Sequence, residues 1–389
     1  MTTRAEEVGP SRLASALVAA GALSTDWLGT FEAVPRALFV PDRVWPGIPE
    51  GTRQNPLVDR ATDPEAWRRA VYSDIPLTTQ WDDGHHSGDG LGTTPSSSSS
   101  QPRMVFSMLA DLDVKEGNRV LEIGTGTGWN AGLLAHRLGG SNVVSIEYDP
   151  DVAAGAGERL RRAGLAPLVV VGDGRLGYAG GAPYDRVIAT CSIGEVPRTW
   201  IDQTVSGGAI VAPWGTVYGG EAIVRLVVNG DGTASGHFTR SSAFMRLRQQ
   251  RPNLPGHHVY LKGREWPADG VRSMTTLSPI VAGGWLEQFV IGLRVPGVFW
   301  TVERYEGGAY TLWTYSIDTE SWASADFEPE AEEFVVAQSG PRRLWDETEA
   351  ALLWWEDQGR PGFDRFGLSV HSDGECAWLD EPGNLVTVH

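Results

Sequence analysis

The sequence predicts a doubly wound α/β sheet followed by an α+β region, and three observations carry this. Between Gln101 and about Gly215, short all-apolar runs alternate with helix-like segments. The first apolar run feeds a turn with glycine at every second position. After about Gln250 that alternation gives way to closely spaced aromatic runs. Strands apolar on both sides, separated by helices, imply a parallel sheet covered on both faces, with ligands at the carboxyl ends of its strands.

Each element has a local reason. Residues 11–40 read as two short helices: Leu13, Leu17, Val18 and Leu23 fall near helical spacing, Ser24 or Thr25 caps the second, and Pro35 ends it. The stretch from Pro41 to about Leu77 is mixed, with a small helix at DPEAWRRAV. Between Thr78 and Ser100 the Gly-, Asp- and Ser-rich composition reads as a loop or linker. MVFSMLADL is then helical, RVLEI a buried strand, WNAGLLAHRLGG a helix stopped by glycine, and NVVSIEYD a second strand. DVAAGAGERLRRAGL is helical, and PLVVVGDG, YDRVIATC and GGAIVAPWG are three more strands. In the final third, VFWTVERY, AYTLWTYSI, SWASADF and EFVVAQ are strands, with EGG turning between the first two. Leu344, Thr348, Ala351, Leu352 and Trp355 share a helical face that Gly359 and Pro361 terminate. A last hairpin, FGLSVHSDGECAWLD, is expected to turn at Asp373-Gly374.

Composition excludes several classes. The chain has 389 residues, 41% hydrophobic and 21% charged, which is globular rather than disordered. Its net charge of −17 opposes a phosphate backbone, so nucleic acid is not an expected partner. The acid excess is uneven: residues 1–250 carry 22 basic and 27 acidic side chains, residues 251–389 carry 10 and 22. Two cysteines, Cys191 and Cys376, make no disulfide framework. MTTRAEEVGP lacks a basic region followed by an apolar signal core, and no apolar run reaches membrane-spanning length. A cytoplasmic setting without membrane partners is expected.

The most informative run is V-L-E-I-G-T-G-T-G, residues 120–128. Gly124, Gly126 and Gly128 remove Cβ atoms where a buried strand enters a helix, so a ligand can lie against the backbone at the helix N-terminus. The spacing is GxGxG rather than the GxGxxG of dinucleotide folds, which lowers the case for a pyrophosphate. Acids end the next two strands: Glu147 is placed to accept both ribose hydroxyls, and Asp173 to accept an exocyclic adenine amine. This adenosine clamp resembles the class I S-adenosylmethionine-dependent methyltransferases, whose Rossmann-like sheet would be the fold.

Further strings resemble the protein-L-isoaspartate O-methyltransferases. They are FEAVPRALFVP (31–41), YSDIPL (72–77), SSSQP (98–102), LEIGTGTG, VVGDGRLGY (170–178), APYDRVIATCSIGEVP (182–197), GGAIVAPWG (207–215) and, weakly, AFMRLR (243–248). The order holds across about residues 25–250. The resemblance implies that the serine run lies over the methyl donor, with Ser100 the active-site hydroxyl and Ser99 and Gln101 beside it. Ile193, Val196 and Pro197 would complete the substrate pocket. The expected donor-binding set is Ser98, Glu122, Gly124, Thr125, Gly126, Gly128, Trp129, Glu147, Tyr148, Asp173 and Gly174, with S-adenosyl-L-methionine the cofactor and no metal.

Methyl transfer to a carboxylate explains the absence of a Ser-His-Asp order. The acceptor is ionised at neutral pH and the donor carbon is already activated, so positioning replaces a general base.

The chain departs from the compact family pattern twice. WDDGHHSGDGLGTTP is inserted just before the serine run. Its adjacent His85 and His86 lack a second ligand pair, so it reads as a solvated lid rather than a metal site. The second departure is the extension after residue 250. The long form, including FDRFGLSVHSDGECAWLDEPG, is similar to actinobacterial homologues that accompany ATP-grasp ligases in ribosomal peptide (graspetide) maturation. There an aspartate of a precursor peptide is methylated and closes to an aspartimide. Of the 32 basic residues only Lys115 and Lys262 are Lys, a bias compatible with GC-rich coding.

The expected organisation is therefore an N-terminal helical region over 1–77, a methyltransferase core over 78–250 with its substrate loop at 78–102, and an α+β extension over 251–389 for peptide recognition. Nine tryptophans crowd the extension, read mainly as core. Cys191 reads as packing rather than as a catalytic thiol. The alternatives are a general repair enzyme, a silent peptide-binding scaffold, and a dinucleotide-dependent oxidoreductase.

Overall fold

The computed structural model describes residues 8–47 and 56–386. The start of the opening decapeptide, and with it part of the signal-segment reading, lies outside the described residues. The N-terminal segment folds as α1 (Pro10–Ala19), α2 (Thr25–Ala33), β1 (Arg43–Pro46), β2 (Val58–Asp59), α3 (Pro64–Val71), β3 (Leu77–Trp81) and β4 (Pro95–Ser99). The Asp63 side chain accepts from Ala66 N–H and caps α3. These four strands form a small sheet of order β2-β1-β3-β4, so 1–77 is not purely helical.

The serine run is neither linker nor loop. It is strand β4, antiparallel to β3, with Leu77 opposite Ser99 and Thr78 opposite Ser98. Serine has no strong strand preference; the ladder to β3 and a buried arginine described below supply what the side chains do not.

The catalytic segment continues with α4 (Pro102–Leu112), β5 (Val120–Ile123), α5 (Trp129–Leu138), β6 (Val143–Glu147), α6 (Pro150–Arg162), β7 (Leu168–Val171), β8 (Tyr184–Ala189), α7 (Arg198–Asp202), β9 (Thr204–Trp214), β10 (Ala222–Val228) and β11 (Ala234–Ser241). Pro102 and Pro150 start their helices where a missing N–H is harmless, and Asp149 caps α6 through Asp151 and Val152 N–H. The extension adds α8 (His257–Leu261), β12 (Val271–Thr275), α9 (Trp285–Arg294), β13 (Val298–Arg304), β14 (Tyr310–Ser316), β15 (Trp322–Phe327), β16 (Phe334–Ser339), α10 (Leu344–Asp357), β17 (Phe366–His371) and β18 (Gly374–Leu379).

The main sheet has nine strands in the order β18-β17-β11-β10-β9-β8-β5-β6-β7. β7, β6, β5, β8 and β9 are parallel, and the remainder antiparallel. The chain turns outward in both directions from β5, so the crevice at the carboxyl ends of β5 and β8 is the topological switch point. Strands β10 and β11 were not expected, although IVRLVV is apolar.

The extension is not separate. Hairpin β17–β18 completes the catalytic sheet by pairing β17 with β11, so a division at residue 250 cuts one sheet. Its tight turn holds Ser372 and Asp373, since His371 already pairs with Gly374, one residue earlier than expected. One continuous apolar core joins Val187 and Ile210 of the sheet to Phe289, Leu293, Leu352 and Phe366 of the extension. The other face buries Leu17, Trp27 and Phe31 against Phe106, Leu109 and Leu134. A second, five-stranded sheet of order β12-β16-β15-β14-β13 lies wholly in the extension. Among the described residues no helix is long and apolar enough to cross a membrane.

Candidate active site

A cavity of about 760 Å³ opens at the switch point. Its floor is the turn after β5, its sides the ends of β6 and β8, and its roof β4 with the segment 241–251. Gly124, Gly126 and Gly128 all hold positive φ, at 91°, 54° and 90°, which favours glycine at each. Their missing Cβ atoms also serve the protein's own packing. An added carbon on Gly126 would lie 3.1 Å from the Ser98 carbonyl, and one on Gly128 3.2 Å from Ala156. The GxGxG turn thus lets the serine strand close over it.

Glu147 lines this cavity. One carboxylate oxygen accepts from Gly126 N–H at 2.9 Å and the other from Asp149 N–H at 3.1 Å. Each keeps a lone pair for a hydroxyl donor. Burial raises its pKa against those bonds. Tyr148 stands beside it with its ring half exposed, and Gly174 adds backbone to the same wall. Two acceptors, an aromatic face and open backbone fit an adenosyl group.

Of the other expected residues, Ser98, Ser99, Ser100, Gln101, Thr125 and Trp129 border the cavity. Ser99 is turned away: its Oγ accepts from Arg36 Nε. Gln101 Nε2 donates to the Asp74 carbonyl. Trp129 is a packing residue, its indole N–H on the Val34 carbonyl and its ring against Phe106. Thr125 pairs with Ser145 Oγ at 2.6 Å.

Six expected residues do not reach the cavity wall. Gly128 is held against α6. Glu122 is fully buried beneath the turn, bonded to Asn130 Nδ2 and Ser145 Oγ, and burial pushes its pKa up to about 7. Asp173 caps the next turn through Arg175 N–H and forms an ion pair with the Arg175 side chain at 2.7 Å. Ile193 and Val196 are core, drawn inward by apolar packing under β9, and Pro197 precedes α7. Asp173, Ile193, Val196 and Pro197 thus stand behind the cavity lining, next to Gly174 and Cys191, which form part of it.

The residues that sequence reasoning passed over are arginines. Arg36, 2% exposed, donates to the carbonyls of Val71, Ser73, Ile75, Ser99 and Ser100 and to Ser99 Oγ. Burial lowers its pKa to about 9, which leaves it charged at neutral pH. It sits inside the quoted string FEAVPRALFVP, and a cation among apolar residues was the available signal, since a buried charge requires partners. Arg248 reaches Asp149 Oδ2 and Gln80 Oε1, each at 3.1 Å, and its guanidinium lies 5.6 Å from the Tyr148 ring centroid. Asp83, in the insert, pairs with both Arg248 (3.1 Å) and Arg251 (2.8 Å). The insert is thereby fastened to the rim. Asp82 turns it by accepting from Thr93 and Thr94 N–H, and His86 bonds the Gly90 carbonyl and stands edge-on to Trp45. Among the described residues no group of three His, Cys, Asp or Glu side chains could hold a metal. Cys191 lines the cavity with its thiol pushed up to about 12 by burial and neighbouring carboxylates, which disfavours the thiolate.

A five-stranded parallel core with a glycine turn at the switch point, a ribose-type acid after the second strand and no phosphate cradle defines a class I S-adenosylmethionine-dependent methyltransferase. Comparison with known proteins carries this further. The family model for protein-L-isoaspartate(D-aspartate) O-methyltransferase matches residues 57–251. The chain is 42% identical over 189 residues to protein-L-isoaspartate O-methyltransferase of Methanoculleus marisnigri, covering 48% of this chain and 68% of that protein. It is 40% identical over 195 residues to protein-L-isoaspartate O-methyltransferase 1 of Archaeoglobus fulgidus, covering 50% and 73%. A solved structure of a protein-L-isoaspartate O-methyltransferase shares the fold over 96% of this chain and 100% of its own, with a TM-score of 0.53 and 22% identity. The chain belongs to the protein-L-isoaspartate O-methyltransferase family. It is an S-adenosylmethionine-dependent enzyme of that family.

Proposed function

We propose that this enzyme methylates the side-chain carboxylate of an aspartate in a ribosomally made precursor peptide, in the cytoplasm, and that the ester then closes to an aspartimide. One observation carries the reading: the acceptor side of the cavity includes a residue from outside the family-matched segment. Trp285, at the first turn of α9, lines the cavity and donates its indole N–H to the Glu221 carbonyl at 3.0 Å. Together with the Asp83-anchored insert, it narrows the entrance that a general repair enzyme needs open to many unfolded contexts.

The roles follow from the geometry. Glu147 holds the ribose, with Tyr148 and Gly174 against the adenine. The bound donor supplies an electrophilic methyl group and needs no further activation. Ser100 Oγ aims the acceptor carboxylate. Its carbonyl accepts from Arg36, so the hydroxyl is presented from backbone held just past the end of β4. No proton has to be removed from an ionised carboxylate. Ester formation replaces a poor leaving group by methoxide, and the next backbone nitrogen then expels methanol to close the five-membered ring.

The test is a comparison of acceptors with labelled donor. A short generic isoaspartyl peptide is set against a ligase-modified precursor peptide of the graspetide class. The expected result is rapid turnover of the precursor and a product 18 Da lighter than the starting peptide. Efficient methylation of generic isoaspartyl peptides with none of the precursor would return the enzyme to general repair.

A further inference from the structure

The tryptophans of the extension are mostly core, but Trp266 and Trp285 are each 36% exposed. Each lines a different cavity. Trp285 faces the methyl-transfer site; Trp266 borders a second cavity of about 610 Å³ on the five-stranded sheet.

Strand register builds this second cavity. Glu303 lies opposite Thr311, and Thr311 opposite Asp326, giving one cross-strand row over β13, β14 and β15. Two residues along, Trp313 lies on the same face, since side chains alternate with period two. Trp266 Nε1 donates to Ser324 Oγ at 2.8 Å, which fixes its ring beside that face. Glu265 and Glu328 complete the wall.

The chemistry of this groove is one-sided. None of Glu265, Glu303, Asp326 and Glu328 forms an ion pair among the described residues; Arg264, in the same wall, is paired with Asp269 at 3.2 Å, and Arg272 lies over the Trp266 ring, 4.8 Å from its centroid, where it acts on Asp326 without a salt bridge. Asp326 is half-buried with a single side-chain bond, from Thr311 Oγ1. Trp313, 5% exposed, lines the groove with its indole N–H unpartnered. Carboxylates without a salt-bridge partner attract a cationic side chain, and the wall behind them keeps an unpartnered indole N–H.

We propose that this groove holds an arginine or lysine side chain of the polypeptide substrate at a distance from the methylated carboxylate. The reach is consistent with one peptide touching both cavities. Arg251 borders the first and His257 the second, and six residues span at most about 20 Å. An extended substrate segment of about six residues covers that distance. The proposal rests on the substrate being a polypeptide, and it does not depend on whether that polypeptide is a precursor peptide.

The experiment uses the full chain and synthetic dodecapeptides. One carries isoaspartate near one end and arginine seven residues away; the second has glutamine, and the third norleucine, in place of that arginine. A fourth keeps the arginine but has alanine for isoaspartate, and its binding is read by tryptophan fluorescence. The arginine peptide is expected to show a KM about tenfold below the glutamine and norleucine peptides at equal kcat, and the alanine peptide to bind. In E303Q/E328Q, two exposed positions, the three KM values become equal and fluorescence binding falls about tenfold, while donor affinity is unchanged. Equal KM values in the unmodified enzyme, a norleucine peptide as good as arginine, or a preference that survives E303Q/E328Q would overturn the proposal. Failure of all peptides to be methylated while the alanine peptide still binds would count against the acceptor reading and leave the groove standing; no binding of the alanine peptide would sink the groove.

Discussion

Replacing Arg36 by lysine tests how the serine strand is held. Arg36 makes six hydrogen bonds, five of them to carbonyls in the two segments 71–75 and 99–100. Lysine keeps the charge but has three donors, so at least three bonds are lost. At about 1 kcal/mol for each bond, Arg36→Lys lowers stability by roughly 3 kcal/mol. With about 2.1 cal/mol/K of unfolding entropy per residue, that is a fall of about 4 °C in melting temperature for this chain. The larger effect is on rate. Ser99 and Ser100 lose the donors on their carbonyls, and a shift of about 1 Å in an aiming hydroxyl lowers kcat by about a hundredfold. Glu147 is held by Gly126 and Asp149 instead, so donor affinity stays within about twofold. Calorimetry, single-turnover methyl transfer and a donor titration read the three quantities. A variant with unchanged melting temperature and unchanged kcat would refute the clamp, and one that lost donor affinity in proportion would show that the two walls are not independent.

Three further outcomes follow from the same geometry. Ser100→Ala lowers kcat by about tenfold to a hundredfold while leaving the donor Kd unchanged, read by methyl transfer and equilibrium titration. Glu147→Gln weakens donor binding more than Asp173→Asn, because Glu147 lines the cavity while the Asp173 carboxylate is engaged by Arg175; equal losses in the two titrations would restore Asp173 to the adenine site. The third concerns Glu375, which burial raises from 4.5 to about 7 although it accepts from Val196 N–H and Trp214 Nε1. Its folded-state pKa lies above the unfolded one, so the unfolded chain releases the proton first, and this carboxyl's contribution to stability is lost as pH rises from about 4.5 to about 7. The shift corresponds to about 3 kcal/mol at most. Glu375→Gln therefore gains melting temperature relative to the unmodified enzyme between pH 5 and pH 8; a difference that is flat with pH would refute the assignment.

What the sequence conveyed, and what it did not, divides along physical lines. Apolar runs marked β5 to β9 and the helices between them, since central strands covered on both faces are mostly apolar; β7 keeps an apolar run although it is the exposed edge. The glycine turn and Glu147 were legible because few chains combine positive φ with an acid at the next strand end. The partner of Asp173 was not legible: Arg175, two residues on, takes its carboxylate. The burial of Ile193 and Val196 was not legible either, because an apolar residue near a site reads the same whether it faces a ligand or the core. The serine run could not be read as a strand from propensity, since its partner β3 and the arginine that takes its carbonyls are distant in sequence. Strands β10 and β11 carry a bulge between Ile223 and Val224, and His237 and Arg240 interrupt the apolar pattern.

The extension's meaning lies in its contacts rather than its presence. A solved protein-L-isoaspartate O-methyltransferase shares the fold across nearly the whole chain, so an added region alone says nothing about an unusual client. Two of its features act on the catalytic half directly. Trp285 forms part of the cavity wall. Glu375 of β18 reaches across the sheet to the loop after β8 and to the end of β9, holding Val196 and Trp214 from one carboxylate. A chain stopped at residue 250 would lose that carboxylate, expose the β11 edge that β17 covers, and open the apolar core shared with α9 and α10. The catalytic half is therefore not a unit to which recognition was appended. Its last antiparallel strands, part of its core and the Trp285 portion of its cavity lining are supplied from beyond residue 250.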